Sequence, residues 1–289
     1  LFQADTLSVQ SNVGTLQGRG PLGLTATAGA SKFDVRATVT NLAPLDPFVG
    51  ASSIQLRKSV IDAHVYGSAG AQRFDGTLEL NGFIYDDVRL SAVNGTFNGA
   101  RGDTQLLGRL DLEAQAGYFS AFGLTATQTR LQSTFDGTTL ALTTDVELDP
   151  KHKLSLNTSF QPASDTLAVR LHELTARMGP DQWSLRRETT VTIGAAYRID
   201  AFLLESGPQR IEADGVVDPT GTQDFRVVAE SVRLGDFAPL IGLSGLGGTA
   251  TGNLRLTGPA SAPSFDGRLD LALRSREKDV GTLQFDLGY

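Results

Sequence analysis

Leu140-Ala141-Leu142-Thr143-Thr144-Asp145-Val146-Glu147-Leu148-Asp149 opens the stretch that decides the fold. Leu140, Leu142, Val146 and Leu148 share one parity; Ala141, Thr143, Asp145 and Glu147 share the other. The next run sets Leu154, Leu156 and Phe160 against Lys153, Ser155, Asn157 and Gln161, and the one after it sets Leu167, Val169 and Leu171 against Arg170 and His172. Side chains alternate across a β-strand, so each run makes one apolar and one polar face. Antiparallel sheets with one wet face read this way, whereas parallel βαβ strands are apolar throughout.

The same pattern extends in both directions. Phe33-Val35-Ala37-Val39, Leu78-Leu80 and Leu110-Leu112 precede it; Leu254-Leu256, Leu269-Leu271-Leu273 and Leu283-Phe285-Leu287 come after. Asn81-Gly82, Asn94-Gly95, Asn98-Gly99, Asp136-Gly137, Asp214-Gly215 and Pro219-Thr220-Gly221 stand as hairpin-turn signals. The spacing predicts roughly twenty strands, which at about 4.8 Å each would stack to roughly 90–100 Å. The expected fold is all-β: an elongated, mainly antiparallel curled sheet with one or two short helices. The helical stretches are Asn41-Leu42-Ala43-Pro44-Leu45-Asp46-Pro47-Phe48 and Leu234-Gly235-Asp236-Phe237-Ala238-Pro239-Leu240-Ile241, where Pro suits a first turn.

The chain repeats itself. Gly67-Ser68-Ala69-Gly70-Ala71-Gln72-Arg73-Phe74-Asp75-Gly76-Thr77-Leu78-Glu79-Leu80 aligns without gaps on Gly258-Pro259-Ala260-Ser261-Ala262-Pro263-Ser264-Phe265-Asp266-Gly267-Arg268-Leu269-Asp270-Leu271. Repeat units are expected around 33–100 and 225–287 within a single elongated groove over 1–289. Gly76 and Gly267 are expected to begin equivalent strands. The first residues are Leu1-Phe2-Gln3 and the last Asp286-Leu287-Gly288-Tyr289, both in mid-pattern, so the expectation is a piece of a longer chain.

Composition narrows the function. The chain has 289 residues, 40% hydrophobic and 20% charged, a core-forming balance. Its net charge of −7 argues against nucleic acid as a partner. With no cysteine, a disulfide scaffold and a thiolate metal site are excluded. His64, His152 and His172 carry no paired-ligand spacing, and His152 reads as a solvated turn. Gly242-Leu243-Ser244-Gly245 lacks the P-loop Lys-Ser/Thr, and no G-x-S-x-G elbow occurs. Asp145, Glu147 and Asp149 share a strand face that reads as solvated rather than cation-binding. The expectation is no catalytic residue, no metal and no cofactor.

At Gly252-Asn253-Leu254-Arg255-Leu256 and the Pro-containing turn and strand after it, the sequence resembles the TamB/AsmA-like family, which includes the inner-membrane subunit of the translocation and assembly module. The likeness is strongest over 210–287, weaker over 74–98, and adds no motif over 100–200. The resemblance implies a β-sheet curled into an open trough with an apolar inside, anchored in the inner membrane through a segment outside this chain and lying in the bacterial periplasm. It implies phospholipid transport between inner and outer membranes, aid to outer-membrane protein assembly, and an outer-membrane barrel partner of the TamA/BamA type. The residues expected to line the lipid groove are those of the apolar parity: Leu140, Leu142, Val146, Leu148, Leu154, Leu156, Phe160, Leu167, Val169, Leu171, Leu254, Leu256, Leu269, Leu271, Leu273, Leu283 and Phe285. Ala37, Thr144 and Ala201 read as small inward positions that leave room between walls. The same face serves equally as the dry core of a closed sandwich or β-helix, and the alternative function is a structural or adhesive β-solenoid such as an autotransporter passenger. An outer-membrane barrel would carry aromatic girdles, for which one Trp and five Tyr are few.

Overall fold

The computed structural model describes residues 2–23, 29–45, 54–102, 107–121, 124–237, 246–275 and 278–288. Among them are twenty strands, and every ladder is antiparallel. The all-β antiparallel class expected from the alternation is therefore the class observed. Contacts divide the chain into two compact units, Leu1–Leu148 and Asp149–Tyr289.

The first unit is a meander: β1 (Phe2–Gln10), β2 (Gly14–Leu22), β3 (Ser31–Val39), β4 (Ile54–Gly67), β5 (Arg73–Tyr85), β6 (Val88–Ala100) and β7 (Arg109–Ala121), each paired with the next. Short β8 (Leu124–Ala126) and β9 (Gln128–Phe135) both pair with β7, and β9 passes the sheet on to β10 (Leu140–Asp149).

The second unit starts with β11 (His152–Pro162) and β12 (Leu167–Met178). β13 (Asp181–Leu185) and β14 (Thr189–Ile193) share the space between β12 and β15 (Tyr197–Ser206). β16 (Gln209–Val217), β17 (Thr222–Arg233), β18 (Leu246–Pro259), β19 (Ser264–Ser275) and β20 (Lys278–Gly288) then succeed one another in order. The expected helical stretches are a 3-10 turn at Ala43–Leu45 and α1 (Leu234–Phe237); 46–48 and 238–241 lie outside the described residues.

Several expected turns are strand interior instead. Asn81-Gly82 lies in β5, Asn94-Gly95 and Asn98-Gly99 in β6, and Asp214-Gly215 in β16. At Gly99, as at Gly76, the reason is aromatic packing. A Cβ on Gly99 would collide with the Phe74 ring, and one on Gly76 would lie 2.6 Å from the Phe97 ring. Phe74 and Phe97 thus each lie over the glycine paired with them across the ladder, with ring centroids 6.2 Å apart. Glycine here admits an aromatic ring onto the sheet rather than turning the chain. Asp136-Gly137 and Pro219-Thr220-Gly221 do turn: Asp136 Oδ1 accepts from Thr138 and Thr139 N–H, and Asp218 Oδ1 from Thr220 and Gly221 N–H.

The two aligned segments form alike hairpins. β4 and β18 are both 14 residues long, and Gly67 and Gly258 leave them at φ of 98° and 88°. Gly76 faces Ala63 and Gly267 faces Leu254, the same register counted back from each glycine. Both glycines sit four residues into their strands, against a partner backbone, and not at a sharp turn. The next hairpins differ by one residue: Gly76 pairs with Phe97 and Gly267 with Leu287, the latter ladder carrying a bulge after Leu273.

Candidate functional site

The register assembles the apolar parity of each unit into one face, because directly paired residues in an antiparallel ladder point the same way. In the first unit the row runs from Ile61 to Leu78, Gly95, Ala114, Leu131 and Thr144. Leu140 and Leu142 face Phe135 and Ser133, and Val146 faces Thr129; Leu148 has the parity of Val146. Ala37, opposite Leu16 and Ile61, and Thr144, opposite Leu131, are the small positions expected on this face.

In the second unit Leu154 and Leu156 face Ala176 and Leu174, while Phe160 faces Val169 and Leu167 faces Pro162 and Ile193. From there the face crosses Val191, Ile199 and Gly215 to Phe225. Leu254 and Leu256 face Val227 and Phe225; Leu269 and Leu271 face Gly252 and Ala250; Phe285 and Leu283 face Leu269 and Leu271. Leu273 lies opposite Gly248 and Gly281.

Three bulges keep this face whole. β12 slips between Asn157 and Thr158 of its partner, β15 between Ile199 and Phe202, β17 between Ala229 and Val232. An extra residue in one strand changes the parity of every residue beyond it. The apolar sets change parity at the same points: Leu167, Val169 and Leu171 give way to Leu174, Ala176 and Met178; Tyr197 and Ile199 to Phe202 and Leu204; Val227 and Ala229 to Val232. Ala201 is such a bulge residue, at φ 58°, and does not belong to the lining where its sequence pattern puts it. Its N–H donates to Asp214 Oδ1 at 2.9 Å and its carbonyl accepts from Arg187 Nε at 2.7 Å. Ser231, at φ 51°, donates its N–H to Thr251 Oγ1 at 3.1 Å. Side chains of neighbouring strands thus satisfy the groups that the bulges take out of the ladder.

The face of the second unit is packed at one strand end and open elsewhere. Ala176, Met178, Trp183, Leu204 and Val232 form a buried cluster, with Leu154, Leu185, Phe202 and Phe237 packed on it. Phe237 of α1 meets the Trp183 ring edge-on, centroids 5.2 Å apart. Gln209 Nε2 donates to Asp181 Oδ2 at 3.0 Å while its Oε1 accepts the Arg233 N–H at 2.7 Å, and the Arg233 guanidinium pairs with Asp181. Burial raises the pKa of Asp236 and the nearby Arg233 opposes the rise. By contrast Tyr197 and Phe265 are each 50% exposed, Leu283 46% and Phe285 43%. The sequence reading misses the Trp183 cluster, because β13 is too short to show a period.

A carboxylate stands against each histidine, on the polar face for His64 and His172 and at the edge of the apolar face for His152, which pairs with Met178. His64 Nδ1 lies 2.6 Å from Asp34 Oδ1, His152 Nδ1 2.7 Å from Asp149 Oδ2, and His172 Nδ1 3.0 Å from Glu188 Oε1. His152 is not the solvated turn expected: its side chain is 15% exposed. Hydrogen bonding to His64 holds the Asp34 carboxyl below its ordinary pKa, and Asp34 in turn raises that of His64. Hydrogen bonds from His152 and His172 likewise lower Asp149 and Glu188. Ser159 Oγ lies 2.9 Å from His172 Nε2, completing a Ser-His-Glu chain. That order suits a nucleophile and base. Its acid, however, is 62% exposed, and His172 is the residue displaced by the β12 bulge, so we read the chain as a staple across that bulge. Asp145 sits opposite Arg130, and no cluster of metal-ligating side chains occurs among the described residues.

The concavities of the first unit open on the polar face. One of about 990 Å³ crosses five strands from Thr77 to Asp145. A smaller one lies between Arg19, Arg36, Asp34 and His64. Comparison with known proteins returns no match: no family model, no curated protein and no solved structure aligns significantly with the chain.

Proposed function

We propose that this chain carries phospholipid acyl chains along its apolar sheet face, as a periplasmic bridge-like protein of the TamB/AsmA-like kind between inner and outer membranes. The observation that carries the proposal is the apolar parity that register and bulges hold on one face along successive paired strands within each unit. Soluble proteins rarely leave contiguous apolar area uncovered unless something binds there. An acyl chain gains about 0.8 kcal/mol per methylene taken out of water, so a continuous lining favours its passage. An anchor in the inner membrane through a segment outside this chain, and a barrel partner of the TamA/BamA type, belong to the same proposal and rest on the sequence resemblance. So does the absence of catalysis. The passenger-type solenoid fits less well, since a parallel β-helix stacks parallel strands and every described ladder here is antiparallel.

The test is lipid capture. The chain, purified from a didermal bacterium and sprayed intact in native mass spectrometry, should retain phospholipid adducts. A photoreactive residue at Leu271 or Leu142 should crosslink lipid, and one at Asp270 or Thr143, on the opposite parity, should not. Equal labelling of both parities, or no lipid at either, would sink the proposal.

A further inference from the structure

The polar concavity of the first unit offers a second surface, independent of the apolar face. Two cross-strand rows run side by side through it. One is Glu79, Asn94, Gln115, Arg130 and Asp145; the other is Thr77, Thr96, Glu113, Gln132 and Thr143. Each row crosses five strands, one side chain per strand, so donors and acceptors recur at the strand spacing of about 4.8 Å.

The chemistry of the rows selects a ligand class. Amides and hydroxyls both donate and accept, carboxylates accept, and no large apolar or aromatic side chain belongs to either row, which argues against lipid and apolar peptide. Three carboxylates stand against one guanidinium, a balance that repels anionic polymers such as nucleic acid. Beside the rows the backbone is bare at Ala92 and Gly117, whose facing atoms lie 3.4 Å apart when a Cβ is built on Gly117. A ligand can therefore approach the sheet closely there. A face serving only solubility has no need of amides, yet Asn94, Gln115 and Gln132 occupy the rows and no lysine does.

We propose that this concavity binds a neutral, hydroxyl-rich glycan chain lying across the strands. Vicinal hydroxyls each donate and accept, matching carboxylate and amide side chains, and an extended β-linked glycan advances by close to the strand spacing with each sugar. Consecutive sugars, each turned over relative to the last, would then meet side chains of consecutive strands.

The experiment titrates the purified chain with chitopentaose, cellopentaose and maltopentaose, followed by calorimetry or by amide chemical shifts. The expected result is saturable binding of at least one of the two β-linked chains, with weaker binding of α-linked maltopentaose. Asn94→Ala combined with Gln115→Ala should weaken it at least about tenfold. These side chains are exposed, so the melting temperature of the variant should stay at that of the parent. Leu271→Asp, on the other face and in the other unit, should leave glycan binding unchanged. Three outcomes would overturn the proposal: no saturable binding of either β-linked chain, equal binding by the double variant, or a heparin pentasaccharide binding more tightly than the neutral chains.

Discussion

At the residue scale, glycine and histidine carry roles that their neighbours in sequence do not disclose. Gly76 looks like the start of a strand after a turn, yet it faces Phe97 across the ladder and lies against Asp62 of β4. Gly76→Ala should therefore cost about 1–3 kcal/mol, since neither a backbone carbonyl nor a ring held by Phe74 yields cheaply. Urea unfolding checks this, and a variant as stable as the parent would mean that the ring does not lie over the glycine. His64 titrates against Asp34, and the sign is set by the raised pKa of the histidine. Its contribution to stability is complete below its ordinary value of 6.5 and is lost as pH rises through the raised value. The lowered Asp34 contributes above 3.8 and loses that contribution as pH falls through its own, lower value. Both side chains reach solvent, so the effect is small and screened by salt. Melting curves from below the histidine's ordinary pKa to about pH 9 should fall slightly for the parent. Asp34→Asn should flatten that slope, and an unchanged slope would remove the pair as its cause.

At the element scale, the bulges set which side chains share a face. Ala201 sits at φ 58°, a conformation that costs a non-glycine residue about 1 kcal/mol or more. Ala201→Gly should be neutral or stabilising by up to about 1 kcal/mol, and Ala201→Val destabilising, because a β-branched residue resists positive φ. Thermal melting of the two variants decides it: Val as stable as Gly would place Ala201 in ordinary strand geometry. The bulges also explain how much of the fold is legible from the residues alone. Leu167, Val169 and Leu171 announce a strand and its apolar face, and so do Leu269, Leu271 and Leu273. The phase slip from Leu171 to Leu174 is written in the sequence as well, but a two-residue period reads it as the end of a strand. Asn94-Gly95 misleads for a related reason. Local turn chemistry favours a hairpin there, but Gly95 pairs with Leu78 inside the ladder, and a Cβ on it would meet the Glu113 carbonyl and Ala114 of the neighbouring strand. Of the candidate site, the lining is visible as a parity. The Trp183 cluster and the histidine–carboxylate pairs are not, because most of their partners arrive from other strands.

At the scale of the whole molecule, the apolar face can act as a path or as a core, and the second unit contains both environments. Leu204 is buried in the cluster with Ala176, Met178 and Trp183, whereas Phe265, Leu283 and Phe285 lie on the same face with about half their surface in water. A charge replacing a sealed residue lacks both solvent and partner and costs several kcal/mol. A charge at an accessible site keeps its hydration and leaves the backbone ladder intact. Leu204→Asp should therefore unfold the unit, while Phe285→Asp and Phe265→Asp should shift its melting temperature by only a few degrees. If lipid moves along this face, the tolerated variants should be the informative ones: they should stay folded, yet lose phospholipid adducts in native mass spectrometry and lipid crosslinks at Leu271. Leu271 lies between Ala250 and Leu283, where the face passes from packed to exposed, so Leu271→Asp should combine a modest loss of stability with a full loss of crosslinking at the adjacent Leu269. Should the charge at Phe285 or Phe265 unfold the unit as Leu204→Asp does, the face is a closed core. Should those variants stay folded and bind lipid as the parent does, the acyl chains lie elsewhere. Loss of lipid from folded protein, at the accessible positions alone, is the outcome that an apolar path requires.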